Sequence, residues 1–198
     1  MIAAVVLAAG RSVRMGRPKL LLPLADGRSM LAHVVRLLKA GGAGPVLVVM
    51  TPEEGVAAEA KRIGAWAVQL EASPPGEMIG SLQRGLEALE DTPAEAALIL
   101  PGDMPFVQPA TVRSILDLWL LERPRVLVPS FQNRRGHPVC LARETWANIQ
   151  ALQPPNTLRD FLRRHGDMIR YLVVEDAGVL EDVDAPEDYD RAVGRRQT

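Results

Sequence analysis

Cysteine is nearly absent from this chain: Cys140 is the only one in 198 residues. A lone thiol cannot close an internal disulfide, and no Cys/His cluster has zinc spacing, so a disulfide scaffold and a structural zinc site are both excluded. Net charge is nearly absent too. Lys and Arg total 23 against 24 Asp and Glu, which leaves −1 and no global field to hold polymeric nucleic acid or an anionic membrane. Long apolar runs are also missing. The N-terminal run is only about eight residues with no basic segment before it, which is neither a signal peptide nor a membrane span, and nothing later approaches a spanning length. These absences predict a cytoplasmic protein with no nucleic-acid and no membrane partner.

The apolar share of 47% with 24% charge is that of a globular protein. Its length suffices for one domain with a sizeable core and is too short for two of ordinary size, so residues 1–198 are expected to form one domain. Apolar run and helical period alternate along the first half. Ile2 to Val6 reads as a buried strand. Residues 29–40 read as a helix capped by Ser29 and stopped at Gly41-Gly42. Pro45 to Met50 is a second apolar run, 53–63 a helix ending at Gly64, and Trp66 to Leu70 a short strand. This β-α-β-α-β order predicts a parallel sheet covered on both faces.

Residues 71–80, with paired prolines and two glycines, read as a loop before a helix from Ser81 to Leu89. Glu95 to Leu100 is the next buried strand, and Thr111 to Leu121 an amphipathic helix. Arg125 to Pro129 and Val139 to Leu141 read as strands around a polar loop, 133–138. Helices follow at 144–152 and 157–165, then a strand at 168–174 and a last helix ending near Val193.

The most informative stretch runs from Leu7 to Lys19, Leu-Ala-Ala-Gly-Arg-Ser-Val-Arg-Met-Gly-Arg-Pro-Lys, directly after the first strand. Gly10 and Gly16 are expected to free the backbone so that successive N–H groups turn toward one anion, and Ser12 adds a hydroxyl. Arg11, Arg14, Arg17 and Lys19 put four cations on the same loop. Lysine is scarce, three of the 23 basic residues, so its use here carries weight. A ligand with several phosphates, a nucleotide, offsets both the cations and the unpaired amides. Neither the Walker spacing nor the dinucleotide glycine fingerprint fits, and Pro18 with the apolar run to Leu24 argues against a helix there.

Three other segments offer chemistry. Asp103 lies in Pro101-Gly-Asp-Met-Pro-Phe106, at the carboxyl end of a central strand, where open α/β sheets place their ligands; it reads as a metal ligand or as a turn residue. Asp184 in Asp182-Val-Asp-Ala-Pro-Glu-Asp188 reads as a metal ligand or as a helix cap. Asn133-Arg-Arg-Gly-His-Pro138 gathers donors suited to an oxyanion without a carboxylate of its own.

Leu-Ala-Ala-Gly-x-Ser-x-Arg-Met-Gly-x-x-Lys, nine specified positions in thirteen, resembles the signature of the MobA-like nucleotidyltransferases. The MocA-type molybdenum cofactor cytidylyltransferases are the branch it resembles most. The likeness extends along the chain: Gly102-Asp-Met-Pro105 is similar to the family's metal motif, Arg135-Gly-His-Pro138 to its substrate loop, and Asp182 to Asp188 to its C-terminal acidic motif. Glu77-Met-Ile-Gly-Ser-Leu82 matches the cytidylyl branch's Gly-Met-Ser-Ser-Ser-Leu only in part.

The resemblance implies a three-layer α/β/α Rossmann-like nucleotidyltransferase fold with a mostly parallel central sheet. It also implies transfer of CMP from CTP to molybdenum-bound molybdopterin. Lys19, Arg14 and Asp103 would be catalytic; Leu7, Ala8, Ala9, Gly10, Arg11, Ser12, Met15, Gly16, Lys19, Ser81 and Gly102 would bind nucleotide. Arg134, Arg135, Gly136 and His137 would bind the acceptor, and Asp103 with Asp184 would hold Mg2+. A molybdenum hydroxylase would receive the product. Where guanylyl members open with Leu-Ala-Gly-Gly, this chain has Ala9, which favours a pyrimidine over GTP. The alternatives are a sugar phosphate or another phosphorylated acceptor, a nucleotide-binding maturation factor without catalysis, and an interaction domain with a vestigial loop.

Overall fold

The structure, a computed structural model, describes residues 1–10, 18–52, 55–70 and 78–194. Arg11, Ser12, Arg14, Met15, Gly16, Arg17 and Glu77 lie outside the described residues. Strand β1, Ile2–Leu7, sits at the centre of the sheet, which is why it can be apolar at every position. Its residues alternate between two cores. Ala4 and Val6 face one, Ala3 and Val5 the other, as the two-residue period of a strand requires.

β1 pairs in parallel with β2, Val46–Met50, on one side and β4, Ala96–Pro101, on the other, and β2 pairs in parallel with β3, Trp66–Gln69. Helices α1 (Met30–Ala40) and α2 (Val56–Arg62) cover the Ala4/Val6 face together with α4 (Pro109–Glu122) and α7 (Pro186–Gly194). Ser29 caps α1, its hydroxyl accepting from Ala32 N at 3.1 Å. The opposite face carries α3 (Met78–Glu87), α5 (Trp146–Gln150) and α6 (Leu158–Arg164). Helix α3 lies close to the sheet: a Cβ on Gly85 would stand 2.4 Å from Val5 Cγ1.

The second half of the sheet is mixed. β5 (Val126–Phe131) and β8 (Ile169–Val173) are parallel to each other, while β7 (Val139–Ala142) runs antiparallel between β4 and β5. With the two-residue strand β6 (Arg134–Arg135) at one edge, the order is β3-β2-β1-β4-β7-β5-β6, with β8 also paired to β5. The expected three-layer, mostly parallel α/β fold is what forms. Among the described residues no helix is long and apolar enough to cross a membrane.

Three local expectations are corrected. Helix α3 begins at Met78, so residues 78–80 are helical rather than loop; the buried row Ile79, Leu82, Leu86 recurs at helical spacing and carries the first turn with it. The polar segment 133–138 contains a short strand β6, Arg134–Arg135, paired antiparallel with β5 through a turn in which Gln132 and Asn133 take φ of 49° and 61°. After Pro18, residues Lys19–Leu21 form one 3₁₀ turn, short enough to be compatible with the proline before it.

Candidate active site

Strand order reverses between β1 and β4. Chain leaving β1 passes outward to β2 and β3, then returns across it to β4, which opens a crevice at the carboxyl ends of β1 and β4. Backbone bonds carry the pairing past the strand ends: Ala8 N donates to Val49 O at 2.8 Å, and Gly102 N donates to Leu7 O at 2.9 Å. A Cβ on Gly102 would come 3.2 Å from both Leu7 O and Leu20 Cδ1, so the approach of the two loops leaves little room for a side chain. Ala8 is buried and Ala9 partly so. Gly10 is exposed at the end of this segment. Its φ lies outside the left-handed region, and among the described residues nothing lies within 4 Å of a Cβ placed there.

Lys19, in the 3₁₀ turn, is only 8% exposed. Its ammonium donates to Asp103 Oδ2 at 2.7 Å, to Asp184 Oδ1 at 2.6 Å and to the Val183 carbonyl at 3.0 Å. One cation thus gathers three segments separated by more than 80 positions in the chain. Burial disfavours the charged amine, but the two carboxylates outweigh it and the Lys19 pKa is raised, so it stays protonated. Asp103 is held again through its backbone, whose carbonyl accepts from Val183 N at 2.9 Å. At the start of α7 it is Asp188, in the helix's first turn, that reaches back: its Oδ2 accepts from Ala185 N at 2.8 Å and Asp184 N at 3.1 Å.

Two carboxylates facing one cation suit a divalent ion that takes its remaining ligands from phosphate and water, the usual manner of magnesium at nucleotides. Among the described residues there is no group of three or more His, Cys, Asp or Glu that could hold a metal by themselves. Asp182 stands beside this pair, and desolvation together with the charges of Asp103 and Asp184 pushes its carboxyl above the usual range. Ser81 is buried in the second turn of α3, with exposed Met78 at the helix start.

The acceptor-side candidates are gathered by a different route. Gly136 N donates to Pro129 O at 2.8 Å and His137 N to Val179 O at 2.9 Å; a Cβ on Gly136 would stand 2.6 Å from Val179 O. Arg134 and Arg135 are exposed on β6, and the Arg135 guanidinium carbon lies 5.4 Å from the centre of the Tyr171 ring. Burial lowers the His137 pKa and the Asp182 charge only partly offsets it, so this imidazole is neutral near pH 7.

Sequence reading missed Asp176 and Gly178. Asp176 Oδ2 accepts from Gln108 N at 2.8 Å and Thr111 Oγ1 at 2.7 Å at the start of α4, while Oδ1 accepts from Gly178 N at 2.9 Å. A Cβ on Gly178 would fall 2.1 Å from Phe106 O. These contacts clamp the 177–180 turn between the Asp103 loop and the 134–138 hairpin. Aspartate two residues before glycine is a local turn signal, but its tie to α4 spans 68 positions.

Residues 4–169 match the model of the MobA-like NTP transferase domain. The chain is similar to the bifunctional protein GlmU of Azorhizobium caulinodans, 39% identical over 117 residues, 56% of this chain and 25% of that protein; it spans about a quarter of the GlmU length. The phosphoenolpyruvate guanylyltransferase of Rubrobacter xylanophilus is 32% identical over 82% of this chain and 77% of its own length. For the 2-C-methyl-D-erythritol 4-phosphate cytidylyltransferase of Streptomyces avermitilis the figures are 31%, 92% and 80%.

Among solved structures, Rv0371c of Mycobacterium tuberculosis superposes with a TM-score of 0.81 at 28% identity, covering 98% of this chain and 97% of that one. A second Rv0371c structure is a complex with manganese. The molybdopterin-guanine dinucleotide biosynthesis protein A of Archaeoglobus fulgidus shares the fold, with a TM-score of 0.74 at 19% identity over 98% of this chain and 97% of that one. Crevice, paired aspartates and family match converge: the chain belongs to the MobA-like NTP transferase domain family.

Proposed function

We propose that this protein is a magnesium-dependent nucleotidyltransferase that moves CMP from CTP to a molybdopterin-type phosphate acceptor. The carrying observation is the convergence of Lys19, Asp103 and Asp184 at the crevice where β1 and β4 diverge. An oxygen of the acceptor's terminal phosphate attacks the α-phosphorus of CTP. The new P–O bond forms as the bond from the α-phosphorus to the bridging oxygen breaks, and the electron pair leaves with pyrophosphate. The nucleophile is already an anion and needs no base, so positioning and charge neutralisation provide the catalysis.

Ala8, Ala9, Gly10 and Gly102 line the nucleotide's approach, with Ser81 from α3 and, from the segment outside the described residues, Arg11, Ser12, Arg14, Met15 and Gly16. Lys19 and Arg14 take the departing phosphates. Asp103 and Asp184 would hold the magnesium ion, which would supply Lewis-acid charge neutralisation when bound. Arg134 and Arg135 receive the acceptor phosphate side, Gly136 lets the hairpin approach the 177–180 turn, and neutral His137 offers a hydrogen bond rather than a charge. Residues 1–198 act as one domain, in the cytoplasm, and a molybdenum hydroxylase receives the product.

The cytidylyl and molybdopterin assignments rest on Ala9 and on the motif resemblance. The relatives named for phosphoenolpyruvate and methylerythritol phosphate favour a second reading, nucleotidyl transfer to another small phosphorylated acceptor. Magnesium-dependent pyrophosphate release, measured for CTP, GTP, ATP and UTP against a panel of acceptors, tests both. Release confined to CTP with the molybdopterin acceptor supports the first; release only with another acceptor supports the second; none with any pair contradicts both.

A further inference from the structure

The ammonium of Lys19 bonds to the same two carboxylates that the reading above gives to the metal, at 2.7 Å on Asp103 and 2.6 Å on Asp184. It engages one oxygen of each at the distance of a strong charge-assisted bond. We infer that Lys19 is the resting occupant of the divalent-ion site, so that metal enters only when a nucleoside triphosphate draws this ammonium away from Asp103 and Asp184. The inference rests on the proposed function and adds to it an order of events: triphosphate and metal arrive together, and the protein without nucleotide holds the ion only weakly.

Charge and geometry carry the argument. Two carboxylates attract an incoming cation, but Lys19 between them offsets part of that charge, and an ion must displace the ammonium from both. The ammonium is anchored at a third point, the Val183 carbonyl at 3.0 Å, and the side chain is 91% shielded by its surroundings, so it is poorly placed to trade its bonds for water. Asp184 keeps 44% of its side-chain surface exposed, so the pair has an open side toward solvent and a ligand. A triphosphate offers the ammonium a richer set of oxygens than the carboxylates do, and it carries its own divalent ion. Lysine then passes to phosphate as the ion passes to aspartate, and neither charge is left buried alone.

The test is a Mn2+ titration of the full chain followed by the electron paramagnetic resonance of free Mn2+, without nucleotide and with CTP. Wild type should bind Mn2+ weakly alone and tightly with CTP. Lys19→Met keeps the unbranched stem, removes the charge, and should bind Mn2+ without nucleotide at least about tenfold tighter than wild type. Lys19→Gln provides the same reading with a polar end should the methionine variant not fold. Adding Asp103→Asn to either variant should abolish the gain. If the folded variants bind Mn2+ alone no better than wild type, while wild type still binds Mn2+ with CTP, this inference is overturned and the proposed function stands. If wild type binds no Mn2+ even with CTP, the proposed function itself is lost.

Discussion

Strands β1 to β4 and strands β5 to β8 position their parts of the site by different means. In the first half every pairing is parallel, each strand returns through a helix, and the site residues sit where the ladder runs out, as Gly102 N on Leu7 O shows. In the second half pairings are mixed, and the loops are held to each other by single polar ties: Val183 N to Asp103 O, His137 N to Val179 O, and the Asp176 carboxylate to the start of α4. The first half is fixed by burial, which is spread over many contacts and tolerant of single losses. The strands β5 and β7 of the second half are buried as well, but its site loops depend on a few hydrogen bonds and two glycines, each hard to replace. Lys19 joins the halves, since its own turn follows β1 while its partner Asp184 precedes α7.

Removing that joint should have the largest effect. Lys19→Ala is expected to cut pyrophosphate release about a thousandfold while a cooperative melting transition is kept, because it removes a cation from the reacting phosphates; release near the wild-type rate would take Lys19 out of the chemistry. Next comes a matched pair of glycines. Gly178→Ala forces a Cβ against the backbone oxygen of Phe106 and should cost about 3 kcal/mol, with turnover per folded molecule falling as well. Gly85→Ala presses on Val5 in the first half and should cost about 2 kcal/mol without that loss of turnover. Denaturant melts alongside assays of the folded fraction separate the two, and equal effects on turnover would erase the contrast between the halves.

Smaller effects sharpen it. Asp176→Ala leaves Gln108 N, Thr111 Oγ1 and Gly178 N without their acceptor, and a loss of about 2 kcal/mol in urea unfolding is expected. The smallest effect lies far from the site, in the capping box of α6. Hydrogen bonds from the Thr157 hydroxyl and backbone N–H hold the Asp160 pKa below its usual value. A depressed carboxyl stabilises the fold above its unfolded pKa, and that contribution fades as pH falls through the folded value. Asp160→Asn should therefore flatten the acid side of the stability curve slightly and leave nucleotide binding unchanged; a change in nucleotide affinity would link α6 to the site.

How legible each half was follows the same division. The strands around β1 and the Ser29 cap are written locally, in apolar runs and a capping residue, so they could be read directly. Asp103 was legible because its strand and its position at the carboxyl end were. The placement of Asp184 against Lys19 was not, since Asp184 and Asp188 both offer a carboxylate within one turn and only the long-range contact of Asp184 with Lys19 separates them. Arg134–Arg135 looked like loop because two exposed arginines have no apolar alternation, and their pairing is imposed by the turn at Gln132-Asn133. Asp176 was silent in the sequence because its partners lie on another helix.

The most direct measurement is a crystal structure of the protein with Mn2+ and a non-hydrolysable CTP analogue. Anomalous density between Asp103 and Asp184, with the Lys19 ammonium moved onto the triphosphate, is the expected result. Lys19 still bridging the two aspartates, with the ion and the phosphates bound elsewhere, would contradict the account.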